Sequence, residues 1–132
     1  MTVELEKINN QAEQHIWINK SKKVTSGIIK VFMIEDHGHK VAYIPSLDIT
    51  GYGKSDKLAI DMLRDAIGDY FGSLVKLSQK KIQAELKKYG WEKGMFTKKY
   101  ENSAFIDKKG VLQNLNLPIT TNIEESLISV SS

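Results

Sequence analysis

The sequence predicts an α+β fold: an antiparallel sheet, made of a three-stranded meander with added N- and C-terminal strands, carrying one long and one shorter helix packed on one face. Three observations predict it. The segment 27–35 is a near-continuous apolar run rich in Ile and Val, which reads as a central strand. Apolar residues recur at helical spacing from Ala59 to Leu74. Short extended patterns separated by turn residues occupy much of the remainder, so strands and helices are segregated along the chain.

The 132 residues are 41% hydrophobic, enough for one domain with a real core. Its expected parts are an N-terminal extension over 1–23, a β-β-β-α core over 24–77, and a second helix with C-terminal strands over 78–132. In the extension, Val3 and Leu5, then Ile16 and Ile18, alternate with period two, and Asn9-Asn10 makes a turn between them. A helix over 4–14 is the alternative, and periodicity does not settle it.

In the central strand Ile29, Val31 and Met33 point one way and Ile28, Phe32 and Ile34 the other. Asp36-His37-Gly38-His39 forms a turn with Gly38 left-handed. The segment 41–44 returns antiparallel until Pro45 closes it, and a third strand runs over 49–52. Ser55 caps the long helix, with Asp56 in its first turn, and Ala59, Met62, Leu63, Ala66, Ile67, Tyr70 and Phe71 form its apolar stripe. Ser78 caps a second helix through Tyr89, which Gly90 stops. Trp91, Met95 and Phe96 resume an extended pattern, followed by Tyr100 and Phe105. The segment 107–110 is a turn, Ile119, Thr121 and Ile123 alternate, and 127–130 is a last strand at the sheet edge.

Composition excludes several function classes. No run approaches the roughly 18 apolar residues of a membrane span. The opening MTVELEKINN has no apolar stretch of the signal-peptide kind, and zero cysteines rule out disulfides and thiolate metal sites. The expectation is a cytoplasmic protein without a membrane partner. A net charge of +3 and a pI near 9.0 permit an acidic partner without demanding one. Ten lysines lie between Lys76 and Lys109 against Glu85, Glu92, Glu101 and Asp107, while the single arginine, Arg64, lies outside. Lysine without arginine fits a solvated surface or contact with a nucleic-acid backbone, not base reading.

No residue is expected to be catalytic, and no cofactor or metal is expected. Gly53-Lys54-Ser55 spells the end of a phosphate-binding loop, but the first glycine of that motif is here Asp48. A metal-dependent nuclease of the RNase H type would need Glu35, Asp36 and Asp61 to converge. Asp61, Asp65 and Asp69 follow the polar face of the long helix, and His37 and His39 flank a turn glycine without a third ligand. His15 reads as a partly buried imidazole. Trp91, Phe96 and Tyr100 stand among lysines and read as core aromatics of a hairpin, with stacking on single-stranded bases as the alternative. Pro45, Leu47, Gly51, Gly53 and Ser55 read as a structural corner: the proline stops the strand, the glycines permit the turn, and Ser55 caps the helix that covers the sheet.

Over roughly residues 28–75 the chain resembles the HicB antitoxin domain, a small pseudo-RNase H-like fold. The resemblance rests on the Glu35-Asp36-x-Gly38 turn, on Pro45-x-Leu47, and on Gly53-x-Ser55 with Ala59 at the helix start. Asp48-Ile49-Thr50 replaces the family's Pro-Gly-Cys, and Ser46 and Lys54 stand where acids are common. The resemblance implies a non-enzymatic module that binds a small toxin ribonuclease, or pairs with itself as a dimer. Such proteins usually carry a helix-turn-helix or ribbon-helix-helix tail; here the segment after Pro118 reads as strand. Leu86, Tyr89, Gly90 and Trp91 resemble the helix-Gly-Trp opening of the partner toxin family, whose working histidine has no counterpart after His39.

Overall fold

The computed structural model describes residues 3–8, 13–102 and 106–132. In chain order they form β1 (Glu4–Ile8), β2 (His15–Asn19), β3 (Val24–Asp36), β4 (His39–Ile44), β5 (Ile49–Gly53), α1 (Asp56–Leu74), α2 (Gln79–Lys87), β6 (Trp91–Lys93), β7 (Lys99–Asn102), α3 (Lys108–Asn114) and β8 (Ile123–Ser131). The class is α+β, with one sheet of eight strands whose ladders are all antiparallel.

β3 is the stem of that sheet. Along one edge it pairs with β8 from Ser26↔Ser131 to Ile34↔Ile123, and β8 pairs in turn with β1. Its other edge is divided: Val24 to Ile28 pair with β2, and Phe32 to Asp36 pair with β4. The sheet therefore forks into one arm of β4 and β5 and another of β2, β7 and β6. Proline at position 45 has no N–H, so β4 cannot carry its ladder further along β3. The Lys30 amide left between the arms donates instead to Gln14 Oε1 at 2.9 Å.

The near-continuous apolar run of β3 is explained by burial on both faces. Ile29 and Val31 join the main core with Leu63, Ile67 and Phe71 of α1 and Ile82 and Leu86 of α2. Phe32 and Ile34 face a smaller cluster built with Val111 of α3. At the β3–β4 turn, Asp36 pairs with His39, and His37 (φ 52°) and Gly38 (φ 81°) both take the left-handed region, the geometry of a two-residue primed hairpin turn. Ser55 Oγ accepts from Leu58 N–H at 3.2 Å and Ser78 Oγ from Lys81 N–H at 3.3 Å, so both expected caps are made.

Several expectations change. In the extension the strand reading holds and the alternative helix over 4–14 does not form, since β1 pairs with β8 and β2 with β3; Asn9-Asn10 lies outside the described residues. The segment 107–110 is not a free turn but the start of α3, with Asp107 Oδ1 accepting from Gly110 N–H at 2.8 Å. An aspartate cap and an aspartate turn share that local hydrogen bond, and only the burial of Val111 and Leu112 decides for the helix. Since α3 packs on the Phe32 side, the helices do not all lie on one face. The last strand is internal, between β1 and β3, because Ile128 and Val130 complete the main core beside Ile29 and Val3. Ile119 and Thr121 belong to the turn and bend before it. Met95 and Phe96 lie in the loop between β6 and β7, and Phe105 falls outside the described residues.

Candidate functional site

The corner that closes β4 and opens α1 is held by several contacts. Pro45 and Leu47 stand in the turn 45–48, with Leu47 buried and its N–H donating to the Ile44 carbonyl at 3.3 Å. The left-handed residue there is Asp48 (φ 53°), not a glycine. Gly51 and Gly53 lie within β5 and do not permit the turn; they make room. A Cβ on Gly51 would press on the Ala59 carbonyl and stand 2.5 Å from Leu63 N, and one on Gly53 would stand 2.5 Å from Leu58 Cβ. The backbone of α1 thus rests on the backbone of β5, an approach only glycine allows.

Beside this corner the fork of the sheet leaves a cleft of about 290 Å³ lined by Gln14, Lys30, Tyr43, Ser46, Asn102 and Asn114 among others. Gln14 Oε1 receives both the Lys30 N–H at 2.9 Å and the Ser46 hydroxyl at 3.0 Å. Lys30 Nζ lies 2.8 Å from Glu125 of β8. Asn102 Nδ2 donates to the Tyr89 carbonyl at 2.9 Å, and Trp91 Nε1 donates to the Ser46 carbonyl at 2.6 Å. Burial first, and then the nearby Asp48 charge, raise the Tyr43 phenol above its ordinary value. These side chains are amides, hydroxyls and a paired ammonium, an inventory for holding a hydrogen-bonding group. Sequence reading missed Gln14, Lys30, Ser46 and Asn102 as a group because they come from separate elements and share no spacing.

The carboxylates proposed for a nuclease centre do not converge. Glu35 faces Lys40 at 3.5 Å, Asp36 is held by His37 Nδ1 at 2.6 Å, and Asp61 bridges Lys57 at 2.9 Å and Arg64 at 2.8 Å. Hydrogen bonds from Lys57 and then Arg64 keep the Asp61 carboxyl below its ordinary value. Among the described residues, no group of three or more His, Asp or Glu is placed to hold a metal ion. Asp65 and Asp69 are exposed, and His15 is half-buried at the start of β2, as expected, with its Nδ1 3.2 Å from the Glu13 carbonyl.

Among the described residues Trp17, Leu115 and Ile119 are exposed singly, and two further groups of exposed apolar side chains lie close together. β5 pairs only with β4 among the described residues, and its open edge adjoins Tyr52, Leu58 and Met62, which are 60%, 52% and 40% exposed. The Tyr52 N–H donates to the Met62 sulfur at 3.4 Å, a weak acceptor for a strand amide. The second feature is the loop between β6 and β7. Trp91 and Tyr100 are buried in the core as expected of a hairpin, whereas Met95 and Phe96 project from its tip.

Compared with family models, with curated proteins and with solved structures, the chain finds no match. Among the described residues no helix is long and apolar enough to cross a membrane.

Proposed function

We propose that the chain is a non-enzymatic, HicB-like protein-binding module whose partner is a small toxin-like ribonuclease, and that it engages this partner by strand addition at the open edge of β5. The observation that carries the reading is that edge itself, with exposed Tyr52, Leu58 and Met62 continuous beside it. Strand addition supplies affinity through main-chain hydrogen bonds, and pockets or patches beside the edge supply specificity. The reading is further supported by the local order β3, β4, β5, α1, in which Pro45, Leu47, Gly53, Ser55 and Ala59 stand at the positions that carry the resemblance. Homodimerisation through the same edge is the competing use of this surface.

The test is co-expression with the product of the neighbouring reading frame, followed by size-exclusion chromatography with light scattering. The expected result is a defined complex that Tyr52→Lys disrupts while the circular dichroism spectrum stays unchanged. A strict monomer that forms no complex overturns the reading. A dimer of this chain alone that Tyr52→Lys dissociates assigns the edge to self-association instead.

A further inference from the structure

The loop joining β6 to β7 is braced by its own backbone and ends in an apolar tip. The Gly94 N–H donates to the Lys99 carbonyl at 3.0 Å, and the Lys99 N–H donates to Thr97 Oγ1 at 3.3 Å. Met95 and Phe96 are carried outward by this loop and are 84% and 92% exposed. A single exposed apolar side chain is ordinary; here two neighbours stand together at the tip of a braced hairpin.

The surroundings of the tip are cationic. Lys93 and Lys98 flank it, and Lys87 and Gln83 of α2 line a groove with Lys93 and Met95 between the helix and the hairpin. Lys88 and Lys99 are neutralised by Glu85 and Glu101, whereas no salt bridge engages Lys87, Lys93 or Lys98 among the described residues. Glu92 is the one acid in the groove lining.

We propose that this groove and tip bind single-stranded nucleic acid, with the phosphate backbone lying along Lys87, Lys93 and Lys98 and one base stacking on Phe96. A basic groove that tracks a backbone, next to an aromatic face that accepts any base, is the arrangement that sequence-tolerant single-strand binders use. An anionic bilayer also favours lysine and apolar tips. Yet Lys87 and Gln83 line a groove between helix and hairpin, a shape that a flexible strand follows and a flat surface does not. Trp91 and Tyr100 are buried, so the stacking surface is Phe96.

The experiment is fluorescence anisotropy of labelled oligo(dT) and oligo(U) with the full chain, titrated over salt. With three phosphates neutralised, log K is expected to fall against log salt with a slope of about −2. Lys87→Gln and Lys93→Gln should each make that slope shallower by about 0.7. Phe96→Ala should weaken binding about tenfold with the slope unchanged, and Phe96→Trp should restore it. All these positions are on the surface, so the variants keep the fold. Absence of binding at low salt overturns the proposal, as does a slope that the lysine substitutions leave unmoved. Binding to phosphatidylglycerol vesicles that Phe96→Ala abolishes, with no binding to either oligonucleotide, overturns it in favour of a lipid surface.

Discussion

The indole Nε1 of Trp91 donates to the carbonyl of Ser46 across 2.6 Å, joining the outermost strand of one arm of the sheet to the turn that heads the other. Ser46 is held a second time through its hydroxyl on Gln14. Trp91→Phe keeps an aromatic ring but leaves the carbonyl unpaired and a void behind the smaller ring, and should lower stability by about 2 kcal/mol. Ser46→Ala removes only the hydroxyl bond and should cost about 1 kcal/mol. Urea unfolding of the two variants beside the parent checks the order; equal losses would show that the indole bond adds nothing.

Two glycines should respond differently to alanine. At Gly51 a Cβ meets the Ala59 carbonyl and the Leu63 nitrogen, backbone atoms that a rotamer change cannot move. Gly51→Ala should cost about 3 kcal/mol. At Gly38 a Cβ meets nothing within 4 Å, and only the left-handed φ of 81° opposes it. Gly38→Ala should cost about 1 kcal/mol. Thermal melts that reverse this order would refute the close seating of α1 on β5.

The Tyr70 hydroxyl is buried and has no hydrogen-bond partner among the described residues. Its desolvation is unreturned, so Tyr70→Phe should stabilise the protein by about 1 kcal/mol, against the usual sign for a core substitution. A lower urea midpoint for this variant would mean that the hydroxyl is satisfied in solution.

Three tyrosines titrate late. Burial leads in raising Tyr43, Tyr70 and Tyr100 above 10.0, with Asp48 adding at Tyr43, Glu85 and then Tyr89 adding at Tyr70, and the Gln79 hydrogen bond opposing at Tyr100. A group whose folded value exceeds its unfolded value contributes stability that is complete below the unfolded value and is lost as pH rises through the folded one. The urea midpoint should therefore hold steady from about pH 8 to near 10.0 and fall beyond it, with the phenolate absorbance of these three tyrosines appearing together with unfolding. Phenolate formation by all five tyrosines in a chain that stays folded would contradict the burial of these three.

Local chemistry made much of the fold legible. Ser55 and Ser78 announce helix starts, Gly38 announces a hairpin, and the run through Ile29, Val31 and Phe32 announces a strand buried twice over, because each signal acts within a few residues. Asp107 is ambiguous in sequence because its cap and a turn are the same local bond, and burial of Val111 by the distant Phe32 decides between them. The place of β8 was not legible, since nothing in 123–131 distinguishes an edge strand from one lying beside β3. The candidate site was half legible. Pro45, Leu47 and Ser55 show their roles in sequence, but Gly51 and Gly53 read as turn residues until α1 is seen lying on them. Gln14 and Asn102 carry no sequence mark, because their meaning arises only where the two arms separate.

The position of β8 bears on how the molecule comes into being. Thr25 and Ser132, joined by a hydrogen bond between β3 and the end of β8, are 107 residues apart in sequence. During synthesis the long edge of β3 has no cover until the distant segment Ile123–Ser131 has emerged. The early half of the molecule then waits with an apolar, unpaired strand exposed, the state from which nascent sheets mispair with their neighbours. Closure over so long a loop is slow compared with the local hairpin of β3 and β4. Pairing of β3 with β8 is thus late relative to the β3–β4 hairpin, and until then the free edge of β3 is open to mispairing.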